Sequence, residues 1–100
     1  MKVLTACANG SGTSLMLMRT VKKTLESKGY KITQIDHTSV SEAKGTARNY
    51  DVVFTSLPFV KMFKDAQDRG ATVIGIKNVM SAKEVGDAVD ASELPAKYLK

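Results

Sequence analysis

Cys7-Ala8-Asn9-Gly10-Ser11-Gly12-Thr13-Ser14 is the stretch whose reading decides the fold. Ahead of it, Val3-Leu4-Thr5-Ala6 is a short apolar run of the kind a fully buried strand shows. Behind it, Leu15, Met18, Val21 and Leu25 recur at helical spacing, while Arg19, Lys22, Lys23 and Glu26 fall on other faces. Between strand and helix, Gly10 and Gly12 alternate with Asn9, Ser11, Thr13 and Ser14. These residue types let backbone N–H groups turn inward and let side chains cap a helix start. Strand, glycine-rich turn and helix N-terminus in that order make an anion site, because free N–H groups and the helix macrodipole both favour negative charge.

The first residue of that loop, Cys7, is the one cysteine of the chain. A thiol at a helix N-terminus has a reason to ionise, and such settings lower a cysteine pKa from about 8.5 to roughly 3.5–7.5. The expectation is therefore a depressed Cys7 pKa and a thiolate able to accept a phosphoryl group, held by the same N–H groups. A small buried cysteine closing a strand is the alternative for an isolated cysteine. The Cys-x-x-Gly-x-Gly-Thr-Ser context favours chemistry.

Outward from the loop, strands and helices alternate. The first helix is expected from Thr13 or Ser14 to Ser27, stopped by Gly29. Tyr30–Asp36 reads as a second strand near a sheet edge, because its alternation is partial. Ser39-Val40-Ser41-Glu42 has capping-box spacing, opening a brief helix with Val40, Ala43 and Ala47 inward. Asp51–Thr55 is an unbroken apolar run suited to a central parallel strand. Pro58 suits the start of a helix to about Arg69, with Phe59, Met62, Phe63 and Ala66 facing the sheet and Gly70 ending it. Thr72–Ile76 is the fourth strand. Ser81-Ala82-Lys83-Glu84 is a second capping box, opening a helix with Val85, Ala88 and Val89 as its stripe. Pro95 is read as a break, with a loose tail beyond it.

This alternation predicts an α/β fold: a single doubly wound domain over residues 1–100, with a four-stranded parallel sheet of order 2-1-3-4 and helices on both faces. Ligands in such folds sit at the carboxyl ends of the strands. Those ends are expected at Cys7, Asp36-His37, Thr55-Ser56 and Lys77-Asn78, so Ser56, Lys77 and Asn78 are candidate rim neighbours of Cys7. His37, the one histidine, reads either as a second phosphoryl site or proton donor or as a surface residue at a strand end.

Composition narrows the function classes. One hundred residues suffice for a core without staples, and a single cysteine rules out an intramolecular disulfide, which fits a reducing cytoplasm. No stretch reads as a signal peptide or membrane span, so no direct membrane insertion is expected. The net charge of +5 comes from dispersed lysines and arginines without tryptophan or interleaved aromatics, which argues against nucleic acid and for solvated faces or an acidic protein partner. No cluster of ligand types has metal spacing, and no cofactor is expected.

The loop with its flanks, Leu4 to Ser14, resembles the phosphocysteine loop of the cytoplasmic IIB component of the phosphoenolpyruvate-dependent sugar phosphotransferase system, in the lactose/ascorbate superfamily. Val73-Ile74-Gly75-Ile76-Lys77-Asn78-Val79-Met80-Ser81 is similar to the fourth-strand segment of its ascorbate-type branch. The resemblance implies a protein-phosphohistidine–sugar phosphotransferase with a phosphocysteine intermediate. Cys7 would take phosphate from a phosphohistidine on a IIA partner and pass it to an ascorbate-like sugar in the membrane IIC transporter. Ala8, Asn9, Gly10, Ser11, Gly12, Thr13 and Ser14 would form the phosphate-binding loop.

Alternatives fit less well. A low-molecular-weight phosphatase needs Cys-x5-Arg, and Thr13 stands where that arginine would be. A thioredoxin-like redox site needs a second cysteine where Gly10 stands, and a receiver domain needs an aspartate ending the third strand. A non-catalytic phosphate- or anion-binding module remains, although neither Gly-x4-Gly-Lys-[Ser/Thr] nor Gly-x-Gly-x-x-Gly is present.

Overall fold

A computed structural model describes residues 1–7, 11–78, 81–92 and 94–98. Strand β1 (Lys2–Cys7) leads into helix α1 (Ser11–Ser27), followed by β2 (Gln34–Ser39), α2 (Val40–Thr46), β3 (Val52–Ser56), α3 (Lys64–Asp68), β4 (Thr72–Ile76), α4 (Ala82–Ala91) and α5 (Leu94–Tyr98). Short 3-10 segments, Ala47–Asn49 and Leu57–Phe63, precede β3 and α3. The four strands form one sheet of order β2-β1-β3-β4, and every neighbouring pair is parallel. The predicted fold class and strand order are those observed.

Burial follows position in the sheet. From Val3 to Cys7 every β1 residue is buried, as is every β3 residue from Val52 to Thr55, because both strands are covered on two faces. Edge strand β2 is only half-buried, and β4, the other edge, alternates. One face of the sheet packs Val3, Cys7, Phe54 and Ile76 against Leu17, Val21 and Leu25 of α1, Val85 and Val89 of α4, and Leu94 of α5. The opposite face packs Leu4, Ala6 and Val53 against Val40, Ala43, Ala47, Phe63 and Ala66.

Two glycines end helices as the sequence predicts. Gly29 takes φ 94° and Gly70 takes φ 102°, a left-handed conformation that favours glycine. Around the first, the N–H groups of Gly29 and Tyr30 donate to the carbonyls of Glu26 and Leu25. Around the second, those of Gly70 and Ala71 donate to Gln67 and Ala66. Each is a Schellman stop, with its apolar contact between Leu25 and Tyr30 or between Ala66 and Ala71.

Four expectations are corrected. The second strand runs Gln34–Ser39 rather than Tyr30–Asp36, because Tyr30 is used by the Schellman stop and sinks into the core. The buried stripe of α1 is Leu17, Val21, Thr24 and Leu25, leaving Leu15 and Met18 only half-buried, and the helix starts at Ser11. The segment after Pro58 begins as a 3-10 helix, with α-helix only from Lys64 to Asp68. Pro95 lies in the first turn of α5, where its missing N–H is no loss, and Leu94 anchors that helix in the core.

Candidate functional site

Cys7 ends β1, and the register builds a row of residues across the sheet at that level. Cys7 is opposite Ser39 of β2; Ala6 pairs with Thr55, which sets Ser56 beside Cys7; and Ser56 pairs with Ile76 of β4. Parallel pairing brings all four strand ends to this rim, and only residues 8–10 separate Cys7 from the start of α1.

The thiol of Cys7 is buried within the apolar cluster under α1 and α4. Ser56 Oγ donates to Cys7 Sγ at 3.9 Å. Burial pushes the Cys7 thiol above its ordinary value, and the Ser56 hydrogen bond pulls it partly back. This reverses the expected depression. A thiolate at this depth loses hydration, and one hydroxyl does not replace it. The loop N–H groups on which the expectation rested belong in part to Ala8, Asn9 and Gly10, which lie outside the described residues. Ser11, Gly12, Thr13 and Ser14 form the first turn of α1, so they stand in the helix rather than in a loop ahead of it.

Lys77 and Asn78 follow β4 at the same rim and are exposed. Their backbone N–H groups both donate to the Glu84 carboxylate, the Asn78 bond measuring 2.9 Å. The N–H of Glu84 in turn donates to Ser81 Oγ at 3.2 Å, so the predicted cap forms. In a reciprocal capping box the glutamate would reach back to the cap residue's N–H; here it pins the end of β4 instead.

His37 is not brought to the rim. It pairs in register with Thr5, two residues before the end of β2, and is exposed. Ser39 takes the rim position that the sequence reading gave to Asp36-His37. It also caps α2 by accepting from the Glu42 N–H at 3.4 Å, while Glu42 accepts from Thr38 Oγ1 at 2.8 Å. Sequence reasoning found Ser39 as a cap but missed its place beside Cys7, because the strand before it was set about four residues too early. The role of Glu84 at β4 was missed as well; its only sequence signal was the capping-box spacing.

A doubly wound parallel sheet with a cysteine closing its first strand, at the head of a helix, defines the class of site. The pattern of the PTS system lactose/cellobiose-specific IIB subunit family matches residues 2–91, and the chain belongs to that family. Its phosphoryl-transfer role lies in the sugar phosphotransferase system. The ascorbate-specific PTS system EIIB component of Mycoplasma pneumoniae is 26% identical over 87 residues, which cover 87% of this chain and 88% of that protein. The solved lactose-specific IIB domain of the Streptococcus pneumoniae phosphotransferase system shares the fold, with a TM-score of 0.67 at 18% identity, covering 100% of this chain and 98% of that one. Among the described residues no helix is long and apolar enough to cross a membrane.

Proposed function

We propose that this chain is the phosphoryl carrier between a phosphohistidine IIA protein and a sugar bound in a membrane IIC transporter, with Cys7 as the residue that carries the group. The observation that supports it best is the position of Cys7: the end of β1, in a row with Ser39 and Ser56 and separated by three residues from α1, in a chain of the IIB family. The thiolate attacks phosphorus, the S–P bond forms, and the N–P electron pair stays on the imidazole. In the onward step a sugar oxygen attacks phosphorus and the S–P pair returns to sulfur, while the sugar hydroxyl proton passes to solvent. Sulfur is a strong nucleophile and a good leaving group, so transfer runs in either direction. The N–H groups and hydroxyls of residues 8–14 hold the phosphoryl oxygens as charge moves. An ascorbate-like sugar follows from the name of the Mycoplasma pneumoniae relative. The carrier works on the cytoplasmic side, where a reduced thiol persists.

The test is incubation with a phosphorylated IIA-type donor and intact-mass measurement. Wild type is expected to gain one phosphoryl group and Cys7→Ala none. An equal gain on Cys7→Ala moves the site elsewhere, and rapid hydrolysis of p-nitrophenyl phosphate by wild type would favour a phosphatase.

A further inference from the structure

The Cys7 thiol lies among apolar side chains of β1, β4, α1 and α4, and Ser56 is the hydroxyl that reaches it. Burial raises the thiol's pKa and the Ser56 hydroxyl opposes that rise. Among the described residues, Ser56 is the one whose side chain is seen to bond that sulfur. A separation of 3.9 Å is long for a bond to a neutral thiol, and a negative charge on sulfur would draw the hydroxyl closer.

What fixes the Ser56 hydroxyl lies one strand away. The chain turns over the sheet at Leu57, directly after Ser56, and settles on Gly75 of β4. A Cβ at Gly75 would stand 2.6 Å from Val60 Cγ2, 2.7 Å from Leu57 Cδ1 and 3.1 Å from Leu57 Cα. The Leu57 methyl could swing away, since Leu57 is 45% exposed, whereas the half-buried, β-branched Val60 has less freedom. The Leu57 backbone could not move without moving Ser56, and a few tenths of an ångström matter to a bond already this long.

We infer that Ser56 is a catalytic residue whose hydroxyl donates to the Cys7 sulfur whenever that sulfur is a thiolate, and that Gly75 is the positioning residue that keeps it there. This rests on the phosphocysteine reading above. Sulfur is anionic before it attacks phosphorus and again after the S–P bond breaks, so one hydroxyl serves both half-reactions: it raises the thiolate fraction before the first and stabilises the leaving group in the second. The hydroxyl keeps its proton throughout.

The experiment is the rate of Cys7 alkylation by iodoacetamide against pH, which needs no phosphoryl donor. Ser56→Ala is expected to shift the profile to higher pH and lower the rate at pH 7 about three- to tenfold, the net worth of one ordinary hydrogen bond. Ser56→Thr, which keeps a hydroxyl, should restore most of it. Gly75→Ala should reproduce part of the shift in the wild-type background and none in the Ser56→Ala background. Superimposed profiles for wild type and Ser56→Ala would overturn the role of Ser56. A full Gly75→Ala effect on top of Ser56→Ala would overturn the role of Gly75 through Ser56. With a phosphorylated IIA-type donor, Ser56→Ala should also slow phosphoryl uptake in proportion. A shifted alkylation profile with no phosphoryl group on wild-type Cys7 would instead overturn the carrier reading, and the catalytic role with it, while the hydrogen bond to the thiolate stands.

Discussion

Asp36 shows how a half-buried carboxylate on an edge strand is held. Its Oδ2 accepts from Gln34 Nε2 at 2.7 Å and from Tyr50 Oη at 2.8 Å. Those two bonds, the Gln34 bond first, hold the carboxyl below its usual range against a smaller opposing effect of burial. The sign of the linkage follows. A depressed folded-state pKa stabilises the fold above the unfolded value of about 3.9, and that stabilisation is lost as pH falls through the lower folded value. Urea midpoints of wild type and Asp36→Asn should therefore differ at pH 6 and converge below about pH 4; a gap that persists unchanged at pH 3 would mean that charge on Asp36 contributes nothing. None of this network was legible in the sequence, because Gln34, Asp36 and Tyr50 meet only once β2 is set in its true register. Cys7 stands at the other extreme. Its uniqueness and its place after an apolar run marked it at once, whereas its depth could not be read, because the cover over a strand end depends on which helix residues face it.

At the scale of elements, helix ends were the most legible features and strand limits the least. A cap is a local event: Ser81 and Glu84 are three residues apart, and the bond between them forms whatever the rest of the fold does. Losing the Ser81 hydroxyl leaves the Glu84 N–H without its partner and slackens the turn that Glu84 holds at Lys77 and Asn78. Ser81→Ala should cost about 0.5–2 kcal/mol in urea denaturation, and an unchanged midpoint would remove Ser81 as a cap. The shift of β2 has the opposite character. Tyr30-Lys31-Ile32 looks strand-like in isolation, but the chain leaving Gly29 must first cross the end of the sheet. There Thr33 N–H donates to the Met1 carbonyl, and pairing with β1 begins only at Gln34. The 3-10 start at Leu57–Phe63 was likewise not legible locally: no propensity in Leu-Pro-Phe-Val announces it, and the segment lies close over Gly75 of β4.

For the whole molecule, the sheet separates two apolar clusters, and the thiol belongs to only one of them. Leu17 of α1 shares the Cys7 cluster, whereas Phe63 sits in the cluster on the opposite face; both are fully buried. Leu17→Ala and Phe63→Ala should each cost several kcal/mol, about 2–5 and about 3–5 respectively, so they match roughly in global stability and differ in side. A cavity is felt by the atoms that line it, because close-packed surroundings relax only in part. The Leu17 cavity opens beneath α1, on the side of the sheet that holds Cys7, and should let water and reagent approach the sulfur. The Phe63 cavity lies behind the sheet backbone and does neither. Under conditions where circular dichroism shows both variants folded, Leu17→Ala should alkylate Cys7 faster than wild type, and Phe63→Ala should match wild type once any difference in global unfolding is allowed for. Equal acceleration in both would mean that the thiol is reached only through unfolding of the whole domain, since unfolding exposes sulfur regardless of which face was weakened. Acceleration confined to Leu17→Ala would place the route to the sulfur on the α1 side of the sheet, opened by loosening of that helix rather than by unfolding of the whole domain.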